Sequence, residues 1–291
     1  MKTEAQKTLR DLVKIRDEYQ AVRKRVDNRM GRKADGTLQS VEERKIDPEV
    51  AVIIGSGIDV VRTQEKAIEK ELAKRLKPIP IYAEWLSKQK GVGPISAGWI
   101  LAEFDIHIAE TVSKLWQYAG LNPGLVFGKK RIDKEKYKES MGPVTEEFES
   151  QGKDGKKKLS CIYVTDEKIR GDRATPGFVL PYNKRLKTAL MGVLASSFIK
   201  SRAPYRLEYY DTYKERLKNR EGHICNPDEK RNRQDDGKQW NKVSDGHRDM
   251  AAKRYMIKMF LKDLYVAWRE IEGLTVRKPY AEDYLGRKHD A

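Results

Sequence analysis

Cysteine is nearly missing from this chain: Cys161 and Cys225 are the two in 291 residues. Two thiols so far apart build no disulfide framework, so a reducing, cytoplasmic compartment is expected. Long apolar runs are lacking too. No stretch reaches the length of a membrane span, and Met1-Lys2-Thr3-Glu4 has no apolar signal core. A membrane is therefore not among the expected partners. Histidine is scarce, with four in all. His223, Cys225, His247 and Cys161 follow no spacing that pairs the ligands of tetrahedral zinc, and no metal site is assigned. A Walker-type phosphate loop is absent, since Gly55-Ser56-Gly57 is too short. The acid pairs Glu146-Glu147 and Asp235-Asp236 sit in polar stretches, with no apolar frame to shift their pKa values.

Acidic residues are also in deficit. Asp and Glu total 44 against 60 Lys and Arg, a formal net charge of +16. A polyanionic partner is expected, nucleic acid foremost. An anionic membrane surface fits less well, because the basic residues do not gather into one amphipathic anchor helix. Hydrophobic residues make up 38% and charged ones 36%, which suits a mainly α-helical protein with much exposed surface.

Residues 1–80 read as an antiparallel helical hairpin of coiled-coil type. Leu12, Ile15, Tyr19, Val22 and Val26 step by three and four along the first helix. Gly31 to Gly36 breaks the pattern. A second helix runs from Pro48 to about Leu76, with Ile53, Gly57, Val60, Val61, Ala67, Ile68, Leu72 and Leu76 as its inner face. The stripe is too long for a hairpin alone to bury, so self-association into a homo-oligomer is expected.

Residues 81–272 read as a helical domain. At its start, 81–104, a short amphipathic run carrying Ile81, Trp85 and Leu86 leads into Gly91-Val92-Gly93-Pro94 and a further helix. Glycine opens backbone angles closed to other residues and leaves amides uncovered. Pro94 suits a first helical turn, and Ser96, Ala97 and Gly98 permit close packing. Gly-apolar-Gly between two helices resembles a helix-hairpin-helix, in which hairpin amides hold a nucleic-acid phosphate. Lys88, Lys90, Gly91, Val92, Gly93 and Ser96 are the candidate contacts. The plain alternative is a tight turn with no ligand.

Residues 127–173 form a basic insertion. Phe127 to Ile132 and Leu159 to Val164 suit a small β-hairpin, on which Lys129, Lys130 and Arg131 would meet phosphates. The alternative is a solvated insertion without fixed structure. A helix from Lys184 to Lys200 comes next, with Leu186, Leu190, Val193, Leu194, Ser197 and Phe198 on its apolar face. Tyr205 to Leu217 turns Leu207, Tyr210, Tyr213 and Leu217 to one side, a pattern of core rather than base-stacking tyrosines. Asp245 caps a last long helix to Ile271, and 273–291 is an extended tail.

Two phrases add a resemblance. GVGPISAGWILAEF, a spacer and KLWQYAGLNPG, ending at Gly124, are followed by Leu180-Pro181-Tyr182-Asn183-Lys184-Arg185-Leu186-Lys187. This order resembles the C-terminal transposase domain of the insertion sequence one-ten family, good over the first forty or so residues and loose elsewhere. The resemblance implies DNA recombination, a coiled coil ahead of a helix-hairpin-helix, and basic contacts at Lys184, Arg185 and Lys187. Those recombinases also carry a nuclease-like domain with metal-binding acids, and a serine nucleophile after the AGL-P phrase. Here the chain opens on the helical hairpin, and Gly124-Leu125-Val126-Phe127-Gly128-Lys129 holds no serine. Ser150 and Ser160 lie in the insertion without an evident activating base. The expectation is a nucleoid-associated DNA-binding protein with no catalytic residue assigned, and with Mg²⁺ relevant only if it is catalytic. The rival readings are a recombinase or nuclease completed by a partner chain, and a structured-RNA-binding protein.

The charge balance sets one measurable outcome. Neutralising about six phosphates gives a slope of about −5 for log affinity against log salt. Fluorescence anisotropy on a labelled duplex measures it, and a flat response would point away from nucleic acid.

Overall fold

A computed structural model describes residues 3–31, 39, 43, 46–151, 157–224 and 237–277, and no side chain at 30 or 150. Cys225, Asp235-Asp236, the Ser150 side chain and most of the expected tail lie outside the described residues. The protein is mainly helical with one small antiparallel sheet. It divides into two compact units, residues 1–105 and 106–291. The segment 81–104, which the sequence groups with residues 105–272, packs in the first of these units.

In the first unit, α1 spans Glu4–Met30 and α2 spans Pro48–Leu76. Thr3 and Gln6 close a reciprocal capping box at the start of α1: the Thr3 hydroxyl accepts from the Gln6 amide and the Gln6 side chain from the Thr3 amide. Asp47 caps α2 by accepting from the amides of Glu49 and Val50, with Pro48 in the first turn. Arg16 pairs with Glu69 at 3.0 Å, Arg23 with Glu65 at 2.7 Å and Arg62 with Asp27 at 3.7 Å. Rising numbers on α1 meet falling numbers on α2, so the two helices lie antiparallel. The short α3, Pro80–Glu84, and the 3-10 turn Leu86–Lys88 lead to α4, Pro94–Glu103. A Cβ on Gly98 of α4 would stand 2.9 Å from a Val13 methyl and 3.0 Å from both Leu72 methyls. The absent side chain is what lets α4 seat on α1 and α2. Glu103, buried at the end of α4, pairs with Arg10 at 3.0 Å.

The hairpin faces differ from the sequence reading. Leu9, Val13, Arg16 and Asp27 are the buried positions of α1, and Ile58, Glu65, Leu72 and Leu76 those of α2. Ile15 and Val22 are exposed, Ala67 is exposed, and Ile53 and Val60 stand 70% and 62% exposed. The reason is the ion-pair seam: arginine stems and their carboxylates occupy the interface away from α4 and turn the apolar stripe outward.

In the second unit, α5 is Val112–Tyr118. The sheet is β1, Leu125–Asp133, β2, Val144–Gln151, and β3, Lys157–Arg170, in the order β1-β3-β2. The expected pairing occurs, with Lys129 opposite Val164 and Ile132 opposite Cys161. β2 is additional, placing Glu147 opposite Cys161 and Glu149 opposite Leu159. Then come α6, Lys184–Thr188, a π-helical turn Ala189–Leu194, α7, Ala195–Ser201, a second π turn Arg206–Asp211, α8, Thr212–Lys218, and α9, Asp245–Ile271. Ser244, not Asp245, caps α9 by accepting from the His247 amide, while Asp245 pairs with Arg248 at 2.9 Å. Val193 and Leu207 are exposed rather than inward, because each lies in a π turn that changes the helical phase.

The core of this unit gathers on α9. Met256, Ile257, Phe260, Leu261 and Leu264 are fully buried, and Phe198 and Tyr205 lie 5.2 and 5.4 Å from the Phe260 ring. The Trp116 indole donates to the Lys258 carbonyl at 3.1 Å. Arg269 donates to the carbonyls of Ile106 and Ala109, each at 3.1 Å, and so ties down the segment before α5.

The seam gives a stability prediction. Glu65→Ala takes from Arg23 its 2.7 Å partner and from Arg16 the more distant of its two α2 carboxylates, and lowers unfolding free energy by about 1 kcal/mol, since Asp27 and Glu69 remain to hold the two arginines. Ala67→Ser on the same helix, at an exposed site, changes it by less than about 0.5 kcal/mol. Urea denaturation of the two variants measures the contrast.

Candidate nucleic-acid interface

Local chemistry sets the turn in the first unit. Gly91 sits at φ +94°, a value that favours glycine, and the Val92 amide closes the turn on the Gln89 carbonyl at 3.0 Å. Gly93 is extended, at φ −97° and ψ 172°, and precedes Pro94 at the start of α4. No side chain caps that helix. A Cβ built on Gly93 meets nothing within 4 Å, so the backbone there opens onto free space. Lys88 and Lys90 are exposed on either side of the 3-10 exit, and Val92 is half-buried. Ser96 is buried, which withdraws its hydroxyl from any ligand.

In the second unit the structure joins the two phrases that stood out in the sequence. The amide of Asn183 donates to the Tyr118 carbonyl at 2.8 Å, and its side-chain amide to the Tyr118 hydroxyl at 3.1 Å. The Asn183 carbonyl oxygen, Oδ1, accepts from the Leu186 amide and caps α6. Gly120 has φ +66°, and a Cβ there would lie 2.6 Å from the Tyr182 ring. Tyr182 thus packs on bare backbone. The Gly171 amide donates to the Gly124 carbonyl at 2.9 Å, bringing a third stretch, 170–173, to the same place.

That third stretch carries charge. Arg170 grips Asp172 through two bonds, at 2.9 and 3.2 Å, and both residues are buried. Arg254 of α9 stands 3.9 Å from the same carboxylate. Lys187 turns inward, donating to the Asp172 carbonyl at 2.6 Å with its ammonium 4.4 Å from the Tyr182 ring centre. Burial pushes the Lys187 ammonium down, with Asp172 opposing and Arg254, Arg173 and Arg170 adding to the shift. Lys258, one turn beyond Arg254, lies 4.1 Å over the Trp116 ring, and burial pushes it down to about 8, with Arg254 the second cause. Arg170, Asp172, Arg173, Arg254 and Lys258 were not among the candidates read from the sequence. The one local signal was a basic pair at i and i+4 within the apolar stripe of α9.

The basic candidates therefore divide. Lys184 and Arg185 are exposed on α6. Lys129 is exposed on β1, and Arg131 lies exposed with its guanidinium 4.6 Å from the Phe148 ring centre. Lys130 is raised by its hydrogen bond to Glu167, at 2.6 Å, and also covers Phe178. Lys134 is raised in the same way by Glu147. Lys130 and Lys134 spend their charge in these surface pairs, and Lys187 spends its charge on the Asp172 carbonyl.

Ser160 is 1% exposed within β3, closed to an incoming phosphate. Cys161 is buried beside it, and His247 lies edge-on to Trp240 at 5.4 Å. Among the described residues no group of three or more His, Cys, Asp or Glu is placed to hold a metal ion, and no helix is long and apolar enough to cross a membrane. No protein-family model matches the chain, and neither a curated protein nor a solved structure does so.

Lys258 yields a pH prediction. Its folded pKa, about 8, lies below the ordinary value of about 10.4, so its charged form is the one folding disfavours. The cost is carried in full below pH about 8 and relieved as pH rises toward 10.4. Lys258→Met is expected to gain about 2 kcal/mol at pH about 7, after loss of the cation–π contact with Trp116, and little at pH about 10. Thermal melts across that range measure the difference, and equal gains at both ends would show that desolvation of the ammonium is not the cause.

Proposed function

We propose that this chain is a nucleic-acid-binding protein, with DNA the favoured polymer, that holds backbone phosphates through a helix-hairpin-helix at 81–104 and basic surfaces on its second unit. One observation carries the reading. The backbone at Gly93 lies open at the start of an uncapped helix, between exposed lysines, in a chain of net charge +16. Helix-start amides favour an anion, and a side chain at Gly93 would obstruct its approach. Lys88, Lys90, Gly91, Val92 and Gly93 supply this contact. Lys129, Arg131, Lys184 and Arg185 supply outward charge elsewhere. Ser96, Lys130 and Lys187 take structural parts instead.

The transposase-like reading draws support from the union of 118–124 with 182–187, two of the stretches that carry the resemblance. The chain alone is expected to bind without cutting; the rival reading is a recombinase or nuclease whose acidic metal ligands come from a partner chain, and Mg²⁺ is relevant only to that reading. The outward stripe of Ile15, Val22, Ile53 and Val60 supports self-association through the N-terminal helices. RNA is the second polymer to test, because phosphate contacts of this type serve either.

Gly93→Val is the deciding variant. With an ordinary φ and nothing within 4 Å of an added Cβ, the variant is expected to fold, which circular dichroism checks. Affinity for a labelled duplex should drop at least tenfold, about 1.4 kcal/mol. Unchanged affinity in a folded variant would remove the hairpin from the interface. The same assay with an RNA competitor ranks the polymers, and nicking by the purified chain would move it among the catalytic recombinases.

A further inference from the structure

The two faces of the sheet are finished differently. One is closed by the fold itself. Tyr137, just after β1, lies 6.0 Å from the Tyr163 ring and donates its hydroxyl to the Gly142 carbonyl at 2.7 Å. Phe178 covers Gly128, where a Cβ would stand 2.4 Å from its ring. Lys130 lies 4.6 Å over Phe178, and Cys161, opposite Ile132, is buried. Neighbours on a strand point to opposite faces, so Phe127, Lys129 and Arg131 share the other face. All three are exposed, Phe127 at 57%. The ammonium of Lys168, opposite Phe127, lies 5.5 Å from its ring centre. The Arg131 guanidinium lies 4.6 Å from the ring centre of Phe148 on β2. An exposed phenylalanine forgoes the free energy that burial would give it, and a ligand face can recover that.

We propose that this open face is a stacking platform for single-stranded DNA, with Phe127 and the Arg131–Phe148 pair each taking one base and Lys129 the phosphate between them. Unpaired bases stack on aromatic rings and on guanidinium planes alike, and every base has a face to offer. Arg131 is held over Phe148 and is exposed on its outer side. Four residues of strand separate Phe127 from Arg131, about 13 Å at about 3.3 Å each. Bases in a duplex follow one another at about 3.4 Å and cover each other's faces, so they do not fit two surfaces so far apart. An extended single strand does. Glu146, opposite Ile162, and Asp166, in the irregular step between the Phe127 and Lys129 registers, offset much of the local charge. The face therefore offers stacking more than attraction for phosphate, unlike the turn at Gly93. The choice of DNA rests on the function proposed above.

The test uses the full chain and the fluorescence anisotropy of two probes, a labelled oligothymidylate and a labelled duplex. Phe127→Ala should lose about tenfold in affinity for oligothymidylate. Its affinity for the duplex should match wild type. Phe127→Tyr, which keeps the ring, should restore most of the loss. Arg131→Lys, which keeps the charge and removes the plane, should lose at least about threefold on oligothymidylate. Wild-type affinity for oligothymidylate in both Phe127→Ala and Arg131→Lys overturns the platform. So does an equal loss on both probes in Phe127→Ala. If Phe127→Ala does not fold by circular dichroism, Phe127→Trp decides. Saturating oligothymidylate should quench the emission it adds, and unquenched emission overturns the site. Tighter wild-type binding of oligouridylate than of oligothymidylate overturns DNA as the occupant. A wild type that binds duplex and no single strand overturns the platform and leaves the nucleic-acid reading standing. One that binds neither defeats both. Loss of single-strand binding in Phe127→Ala, with full duplex binding in Gly93→Val, sustains the platform and removes the hairpin.

Discussion

Scarcity of acid constrains this molecule more than any other feature. In a chain with 60 basic and 44 acidic residues, the buried carboxylates Asp27, Glu65 and Asp172 each stand near two basic partners. Glu65 lies between Arg16 and Arg23 and sets the alignment of α1 on α2. Asp172 holds Arg170 with its carboxylate, offers its carbonyl to Lys187 and draws Arg254 from α9. Through it β3, α6 and α9 meet at one point. A buried ion pair is weak evidence for stability, since well-packed apolar groups often do as well. Its effect here is on placement: each acid chooses which helices and strands come together.

Net charge is also a poor count of the charge available to a ligand. Lys130, Lys134 and Lys187 are held by Glu167, Glu147 and the Asp172 carbonyl, and they cover aromatic rings besides. Lys88, Lys90, Lys129, Lys184 and Arg185 remain exposed. A run such as Lys129-Lys130-Arg131 alternates between the two uses because neighbours on a strand point to opposite faces. The outward members are those that a polyanion would meet.

Short-range chemistry was legible in the sequence; long-range pairing was not. Gly91, Gly93 and Pro94 read as a turn into a helix, because glycine and proline act on their own backbone. The stripe of α9 was readable from its period, and so was the pairing of β1 with β3. The seam of α1 was misread, since Ile15 and Val22 have the right spacing but Arg16, Arg23 and Asp27 face α2 through ions. β2 was missed because Val144-Thr145-Glu146-Glu147-Phe148-Glu149 shows no apolar alternation; its glutamates face lysines on other parts of the insertion. The cluster around Asp172 was invisible for the same reason. Its members, from Arg170 to Arg254, are joined by folding and by nothing local.

The two π turns have a consequence for how this unit tolerates change in length. A helix normally rejects a one-residue deletion, since everything beyond it rotates by about 100°. Ala189–Leu194 and Arg206–Asp211 each hold a wider ring than an α-helix needs. A deletion inside either would tighten the ring toward α-helical geometry and confine the rotation to that turn. The anchors on either side, Leu186 and Phe198 around the first and Tyr205 and Leu217 around the second, would keep their places. These turns act as slack in the chain, letting adjoining helices meet α9 with independent phase.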